Sequence, residues 1–393
     1  MRHIPKVVLL IETSRQFGRS LLRGIGRYVR LHGPWTVYRE PGGLPARPPR
    51  LRSWGVDGII MRGEPIKLQE ILDMGWAAVI SPRSIERVSG IPCITVDSVA
   101  TGRMGAEHLL ERGFRHLAFC GFSDRFWSVQ RGEGFRLRAE EAGLGTHLYE
   151  TPEARSERLW SKEHESIARW LRSLPRPIGI LACTDYRGQH VIEGCRLAGL
   201  HVPEEVAVIG VCNDEIICSL CDPPLSSIFL NIEKAGYEAA EALDSMMAGQ
   251  KVSKNTSITI EPINTVTRQS TDILAVEDPE VAKALCFVRR NSQRAVHVSD
   301  VIAVTSLSRR ALEQRFQRTI GRSINQEIRR ARVERVARAL VETNQTVAEI
   351  AMALDYPGVD HIARYFRAER GLSPAAFRKK YHEQGHTTRQ LST

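Results

Sequence analysis

A polar face on a short amphipathic segment near the C-terminus could hydrogen-bond the edges of nucleic-acid bases. Arg310, Glu313, Gln314 and Gln317 lie on one side of a helix predicted over 309–319, and its apolar residues lie on the other. A guanidinium forms two parallel hydrogen bonds with guanine, and a carboxamide does the same with adenine. These residue types predict contacts with base edges, although Glu313 could also be a solvated surface carboxylate.

This segment belongs to a helix–turn–helix pattern that occurs twice in the C-terminal part of the chain. Residues suited to cap a first helical turn stand where helices should begin: Ser299, Ser308, Thr346 with Glu349 in a capping box, and Ser373. The predicted helices cover 300–304, 309–319, 323–342, 347–353 and 359–370. At about 1.5 Å per residue the middle helix spans ~30 Å, close to one turn of B-DNA. Two recognition helices could therefore enter successive major grooves.

The net charge of the chain, +10, comes entirely from its C-terminal part. Residues 279–393 contain 21 Lys and Arg against 11 Asp and Glu, whereas the first 278 residues contain 34 of each. A basic domain beside a neutral one is typical of a protein in which one part meets a polyanion. The alternative is a solvated basic face without a partner, and the two helix–turn–helix patterns argue against it.

Over about residues 280–381 the chain resembles the DNA-binding domain of AraC/XylS-type transcription regulators. The residues that carry the resemblance are Leu307-Ser308-Arg309-Arg310, Leu312, Phe316, Gly321, Ile350-Ala351, Tyr356, Arg364, Phe366-Arg367, Gly371-Leu372-Ser373-Pro374 and Phe377-Arg378. The family fold is entirely helical, with two helix–turn–helix units. The resemblance therefore implies a DNA-binding domain that reads two neighbouring grooves.

The same resemblance implies roles for individual side chains. The base-facing set is Arg310, Glu313 and Gln314 in the first recognition helix and Asp360, His361 and Arg364 in the second, and Arg309 is a further expected DNA-binding residue. Arg367, Arg378, Lys379 and Lys380 are expected to bind phosphates, which orient a protein on DNA without reading its sequence. Asp355 stands where the family has a turn glycine, and Asp tolerates left-handed backbone better than most residues.

The neutral part of the chain alternates short apolar strands with amphipathic helices. Predicted strands are Lys6–Glu12, Trp35–Arg39, Val56–Met61, Ala77–Ser81, Cys93–Asp97, His116–Gly121, Ile178–Thr184, Val206–Val211 and Ser257–Glu261. Strands that are apolar on both faces and separated by helices indicate parallel sheets covered on both sides. We expect two α/β lobes with a cleft between them, and a ligand beyond the carboxyl ends of the strands.

Over about residues 50–265 this part resembles the effector domain of LacI/GalR-type regulators, which have the two-lobed fold of periplasmic sugar-binding proteins. The matching segments are Ile94-Thr95-Val96-Asp97, Gly105-Ala106-Glu107-His108-Leu109-Leu110-Glu111-Arg112-Gly113-Phe114, Val202-Pro203-Glu204-Glu205-Val206 and Pro223-Pro224-Leu225-Ser226. The ligand-binding residues that it implies are Ser14, Phe17, Trp127, Arg131, Thr184, Asp185 and Asn213. Trp127 could equally be a core residue, and either Thr184 or Asp185 could cap a helix instead.

Cys212 departs from the LacI/GalR pattern, because many relatives have a ligand-binding carboxylate at this position. A sugar would lose a strong hydrogen-bond acceptor there unless Asn213 or Asp214 replaces it. The departure puts recognition of a pentose in doubt, but it does not change the family assignment.

Together the two resemblances predict a ligand-controlled, DNA-binding transcription regulator, with a sensor domain over 1–272, a linker over 273–285 and an AraC-type domain over 286–393. The combination is similar to that of sugar-operon regulators, so the expected ligand is a sugar such as xylose. A non-pentose metabolite with the same regulatory role is the alternative. The expected partners are operator DNA and a second copy of the chain, with RNA polymerase as a further candidate.

Other function classes fit the sequence less well. Gly24-Ile25-Gly26 lies within a predicted helix and lacks the third glycine of a dinucleotide-binding turn, and we find no serine elbow, phosphate loop or HExxH motif. The eight cysteines are scattered, so neither a metal site nor a cofactor is expected. With no secretory signal or membrane-spanning run, we expect a cytoplasmic protein that is neither an enzyme nor an exported solute-binding protein.

Overall fold

The computed structural model describes residues 3–39, 54–63, 73, 75–83, 88, 90–153, 160–250, 257–273, 276, 278–343 and 345–379. The chain divides into two compact units, Met1–Ala275 and Val276–Thr393, called here the first and second units. Among the described residues, no helix is both long enough and apolar enough to cross a membrane.

The first unit contains two six-stranded sheets, each at the centre of one lobe. The sheet of the first lobe has the order β11 (Ser257–Ile260), β5 (Cys93–Val96), β4 (Ala77–Pro82), β3 (Gly58–Gly63), β1 (Lys6–Leu10) and β2 (Thr36–Arg39). The sheet of the second lobe has the order β12 (Pro262–Val266), β10 (Ser226–Leu230), β9 (Val206–Val211), β8 (Ile178–Ala182), β6 (His116–Phe122) and β7 (Thr146–Thr151). Neighbouring strands pair in parallel, except that β12 is antiparallel to β10.

Helices cover both sheets, and the chain crosses between the lobes in three short segments, at Asp97, Asn231 and Glu261. The helices are α1 (Gln16–His32), α2 (Ser98–Leu110), α3 (Phe126–Glu141), α4 (Trp160–Ser173), α5 (Asp185–Ala198), α6 (Glu215–Leu220) and α7 (Ile232–Met247). The crossing segments are held side by side, because the Asp97 N–H donates to the Ile260 carbonyl at 2.9 Å and the Asn231 N–H to the Glu261 carbonyl at 3.1 Å. The two lobes are therefore joined by three neighbouring segments that hydrogen bonds hold together.

The second unit contains six helices among its described elements, and residues 374–379 are also helical. They are α8 (Pro279–Arg290), α9 (Val298–Ala303), α10 (Arg309–Ile320), α11 (Ile324–Glu342), α12 (Val347–Ala353) and α13 (Val359–Arg370). Helix α11 contributes Ile324 and Ile328 to one buried cluster and Val336 and Leu340 to another. One continuous helix thus belongs to the cores of both helix–turn–helix motifs.

The structure confirms the predicted fold class: a two-lobed α/β unit followed by a helical unit with two helix–turn–helix motifs. Caps at Ser308, Thr346 and Ser373 are also confirmed, since each side chain accepts a backbone N–H of the following turn. The prediction that Ser299 caps a helix is wrong. His297 caps α9 instead, and its own N–H donates to the Asp300 carboxylate at 2.9 Å.

The structure differs from the prediction at the linker and at three strands. Asp278 accepts the N–H groups of Glu280 and Val281, so α8 begins inside the residues 273–285 that were assigned to the linker. Strands β7, β10 and β12 were not predicted. Strands β7 and β12 are edge strands with several polar or exposed residues, so they lack the continuous apolar runs that revealed the other strands.

Close helix packing in each lobe depends on glycine. A Cβ atom at Gly24 in α1 would lie 1.9 Å from the carbonyl oxygen of Glu233 in α7. A Cβ at Gly102 in α2 would lie 2.0 Å from the carbonyl oxygen of Arg131 in α3. Both contacts are with backbone atoms, which cannot move aside as a flexible side chain can. Helices α1 and α7, and likewise α2 and α3, are therefore closer together than any other residue type would allow.

We predict that two substitutions in α1 change the free energy of unfolding differently. Gly24→Ala should lower the free energy of unfolding by about 1–3 kcal/mol or more, because its new methyl group overlaps the Glu233 carbonyl. Gly26→Ala should instead be neutral or raise it by up to about 1 kcal/mol, since the nearest atom is the Arg30 side chain at 3.5 Å. Denaturant unfolding of the full chain tests this, and equal effects of the two variants would contradict the proposed contact.

Candidate functional site

A cavity of about 430 Å³ lies between the two lobes of the first unit, at the carboxyl ends of their strands. Six of the seven predicted ligand residues line it: Ser14, Phe17, Trp127, Arg131, Thr184 and Asp185. A cavity of this size that draws its wall from two lobes is typical of a small-molecule site.

Arg131 is almost fully buried, with 2% of its surface exposed. It lies on α3, where its Nη1 donates to the carbonyl of Cys183 and its guanidinium carbon lies 5.4 Å from the centre of the Trp127 ring. Its Nε is buried and has no hydrogen-bond partner among the described residues. Burial lowers the pKa of Arg131. The side chain thus has a donor that a bound ligand could use.

Thr184 and Asp185 have different roles at the start of α5. The Thr184 hydroxyl accepts the N–H of Arg187 at 3.1 Å and caps the helix. Asp185 accepts hydrogen bonds from the N–H of Asp214, at 2.7 Å, and from the Ser227 hydroxyl. Burial raises the pKa of Asp185 to about 7, although these hydrogen bonds oppose the shift.

Asn213 does not line the cavity, contrary to the role predicted for it. Cys212 and Asn213 both have left-handed backbone, with φ of 98° and 49°, and the Asn213 amide oxygen accepts from Arg268 at 2.8 Å. The next residue lines the cavity instead. The Asp214 Oδ2 accepts from the N–H of Gln16 and from Arg19, while its Oδ1 is buried without a partner among the described residues.

Sequence reasoning missed Arg62, which extends from the carboxyl end of β3 into the cavity wall. Its Nη1 donates to Glu12 at 2.9 Å, and its guanidinium carbon lies 4.5 Å from the centre of the Phe17 ring. Burial, with repulsion by Arg83 second, lowers the pKa of Arg62 to about 10. The signal that could have revealed it is a charged residue directly after a buried strand, where ligands of such sheets bind.

Glu153 was also missed, and it joins the two lobes. Its carboxylate, 1% exposed, accepts from Arg15 at 2.9 Å and Arg83 at 3.1 Å in the first lobe, and from Arg125 at 2.5 Å in the second. Burial alone would raise the pKa of Glu153, but the charges of Arg83, Arg15 and Arg125 hold it below its ordinary value. An ionised carboxylate therefore binds the lobes together beside the cavity.

In the second unit, the predicted base-facing side chains lie on one face of each recognition helix. Leu312 and Phe316 of α10 are buried, whereas Arg309, Arg310 and Gln314 are exposed. Glu313 is half-buried and accepts from Arg309 at 3.1 Å. In α13, Ile362 and Phe366 are buried. On the opposite side, Asp360, Arg364 and Arg367 are exposed, and His361 is half-buried. Both helices thus present polar side chains opposite an apolar core.

Backbone contacts of two arginines support the second motif. Asp355 has left-handed backbone with φ 53°, as predicted. Arg332 of α11 holds this turn by donating to the carbonyls of Leu354 and Asp355 at 2.6 and 3.0 Å. Arg378 donates through Nε to the carbonyl of Leu340 and through Nη2 to the carbonyl of Gln345, so part of its guanidinium supports the fold. Lys379 is exposed, and Lys380 lies outside the described residues.

Comparison with known proteins agrees with both units. Residues 106–271 match the family model described as a periplasmic binding protein-like domain, and residues 301–380 match a helix-turn-helix domain. The xylose operon regulatory protein of Haemophilus influenzae is 30% identical over 381 residues, which cover 95% of this chain and 98% of that relative. The chain belongs to the family of xylose operon regulatory proteins. The member from Escherichia coli K12 is 27% identical over 382 residues, covering 95% of this chain and 96% of that one.

A solved structure of this family is similar over nearly the whole chain. The xylose-binding transcription activator xylR superposes with a TM-score of 0.81 at 25% identity, covering 96% of this chain and 98% of that structure. The prediction that one chain combines a LacI-type sensor domain with an AraC-type DNA-binding domain is confirmed. This member of the xylose operon regulatory family is a ligand-controlled, DNA-binding transcription regulator.

We predict that Asp185 makes the stability of this family member depend on pH. Because its folded pKa of about 7 lies above the unfolded value of 3.8, its contribution is greatest below pH 4 and is lost as the pH rises towards 8. Asp185→Asn should remove that loss, so the difference in melting temperature between pH 5 and pH 8 should shrink. Calorimetry of the wild-type protein and of Asp185→Asn at pH 5 and pH 8 measures these melting temperatures. The same difference in both proteins would contradict a buried, partly protonated carboxyl at Asp185.

Proposed function

We propose that the first unit binds a sugar in its cavity and that this binding controls how the second unit binds an operator. The strongest support is the chemistry of the cavity wall. Arg131 supplies a buried donor and Asp214 a buried acceptor, each without a partner among the described residues. Hydroxyl groups can satisfy both kinds of atom at once. The names of the relatives point to xylose, and the neutral thiol of Cys212 keeps a non-pentose sugar as the alternative.

The ligand acts by its contacts with both lobes. Ser14 and Phe17 bind it from the first lobe, while Trp127, Arg131 and Asp185 bind it from the second; Asp214 replaces Asn213 as the acceptor. A ligand that contacts both lobes binds the closed arrangement more tightly than an open one, and only such a difference can change the regulator's state. The functional domains are the first unit, 1–275, as the sensor and the second unit, 276–393, as the DNA-binding domain, so α8 belongs to the latter and is not cut at residue 286.

The second unit reads DNA with α10 and α13. Helix α11 has 19 residues and spans about 28 Å at 1.5 Å per residue, which suits recognition helices in successive major grooves. The regulator works in the cytoplasm, and it acts by binding rather than by catalysis. It functions as a homodimer, and it affects transcription through contact with RNA polymerase. Its relatives are themselves transcription regulators.

We predict that Arg310→Ala and Arg364→Ala each reduce operator preference by about 1–3 kcal/mol, because a bidentate contact with a base edge is lost. Binding to a scrambled duplex should change far less. Fluorescence anisotropy with both duplexes at one salt concentration measures the difference, and Lys283→Ala, on the exposed surface of α8, is the control. Equal losses on operator and scrambled DNA would count against base contact.

We predict that Arg131→Met abolishes the thermal stabilisation caused by the effector. A ligand at a hundred times its Kd stabilises the folded protein by about 2.7 kcal/mol, which thermal unfolding of the full chain with a panel of sugars detects. Arg136→Met is the matched control, since Arg136 lies on the same helix but pairs with Glu133 and Glu140 on the surface. A normal shift in Arg131→Met would remove Arg131 from the site, and no shift with any sugar or sugar derivative would overturn the proposed function.

A further inference from the structure

The loop that follows β9, residues 212–214, forms part of the cavity wall and has a strained backbone. Cys212 and Asp214 line the cavity, and the φ values of Cys212 and Asn213 are 98° and 49°. Left-handed backbone is costly for a residue with a Cβ atom, and it persists only where the surroundings enforce it. Here the Cys212 N–H donates to the Ile228 carbonyl at 3.0 Å, and the Asn213 N–H donates to the Ser227 hydroxyl at 2.9 Å.

The side chain of Asp214 connects this loop to the first lobe. Its Oδ2 accepts from the Gln16 N–H at 3.0 Å and from Arg19 at 2.7 Å, and both donors belong to α1. Its Oδ1, buried without a partner among the described residues, is the acceptor that the proposed function assigns to the ligand. Closure of the lobes and binding of a ligand hydroxyl therefore both act on the position of loop 212–214.

Asn213 connects the same loop to a segment further along the chain. Its Oδ1 accepts from Nη2 of Arg268 at 2.8 Å, while Nη1 of Arg268 donates to the Leu225 carbonyl at 2.9 Å. The backbone of Arg268 is also held, because its N–H donates to the Ser226 hydroxyl at 2.8 Å and its carbonyl accepts from that hydroxyl at 2.9 Å. Arg268 thus joins the cavity loop to segment 267–273.

Buried hydrogen bonds tie segment 267–273 to the second lobe. The Ser270 hydroxyl donates to the carbonyl of Val208 in β9 at 2.6 Å. The Thr271 hydroxyl donates to the Ser226 hydroxyl at 2.7 Å and bonds to Nε2 of His108 at 2.8 Å. The side chains of Ser226, Ser270, Thr271 and His108 are all buried, so water does not compete for these contacts. Continuous hydrogen bonds therefore connect the cavity wall to this segment.

We propose that the hydrogen bond between Asn213 and Arg268 is a positioning contact, which passes the state of the cavity to segment 267–273 and so to the second unit. The inference rests on the proposed function, in which a ligand in the cavity controls DNA binding. The second unit begins at Val276, three residues after the segment ends. Coupling between sites is carried by chains of bonded groups that have two arrangements. The ligand and the first lobe hold the strained loop at Asp214, and without them its left-handed residues relax and Arg268 follows.

The test separates binding of the effector from the response of DNA binding in the full-length protein. Isothermal titration with D-xylose, L-arabinose, D-glucose, D-galactose and D-gluconate identifies the compound that binds. Fluorescence anisotropy then gives the operator Kd with and without a saturating concentration of it. The ratio of the two operator Kd values measures the coupling, and values of about 5 to 150 are typical of allosteric proteins.

Asn213→Gly removes the amide and keeps the left-handed backbone, which glycine adopts without strain. We expect this variant to bring the coupling ratio to within twofold of one, while the Kd for the effector changes less than threefold. Asn213→Asp keeps an acceptor for Arg268, so its ratio should stay within threefold of the wild-type ratio. A residue that only supported the cavity would lose effector affinity instead.

Variants of Arg268 test the other side of the contact. Arg268→Met should lose the coupling as Asn213→Gly does, and the double variant should lose no more than either single variant, because all three lack the same contact. Arg172→Met is the matched control and should keep the wild-type ratio. Arg172 also donates to a carbonyl of the second lobe, that of Leu197, but it does so on the surface.

Three results would overturn this inference and leave the proposed function intact. They are a wild-type ratio in Asn213→Gly and Arg268→Met, an equal loss of coupling in Asn213→Gly and Asn213→Asp, and a loss of effector affinity as large as the loss of coupling. If circular dichroism shows that Asn213→Gly is unfolded, Arg268→Met is judged by the same criteria. No binding by any compound, or a ratio of one in the wild-type protein, would overturn the proposed function as well.

Discussion

The cavity depends on a buried carboxylate that arginines of both lobes neutralise. Glu153 belongs to the second lobe, yet two of its three arginine partners, Arg15 and Arg83, come from the first. Asp214 also joins the two lobes: it belongs to the second lobe and accepts hydrogen bonds from Gln16 and Arg19 of α1 in the first. Separating the lobes would expose these ion pairs to water and remove the cavity wall at the same time. The electrostatics of closure and the binding of a ligand are therefore physically coupled.

The DNA-binding unit depends on a different constraint, the continuity of α11. Its N-terminal half packs in one cluster with Phe316 of α10, and its C-terminal half packs in another with Phe366 of α13. Glu327 of α11 is fully buried, and although burial alone would raise its pKa, Arg330, Arg289 and Arg322 hold it below the ordinary value. Both recognition helices are thus fixed to one rigid element, which suits a protein that must match the pitch of a duplex.

Much of this architecture could be predicted from the sequence because local signals determine it. Capping residues such as Ser308 and Thr346 mark helix starts, and continuous apolar runs such as Val206–Val211 mark buried strands. The cavity wall was predictable where a residue adjoins a recognisable motif, as Thr184 does. The position of Arg62 at the end of a buried strand suggests a ligand site but not its partner, and Glu153 carries no local signal. Their roles come from residues 50 and 138 positions away, Glu12 and Arg15, and only the folded chain brings these charges together.

The glycine contact between α2 and α3 has a consequence for inherited variation in this regulator. Arg131 owes its place partly to Gly102, because the backbone of α3 approaches α2 at that point. Any side chain at Gly102 would push away the turn that carries Arg131, although residue 102 itself does not touch the cavity. If Arg131 binds the effector as proposed, alleles that no longer respond to the effector should map to Gly102 as well as to the wall of the cavity.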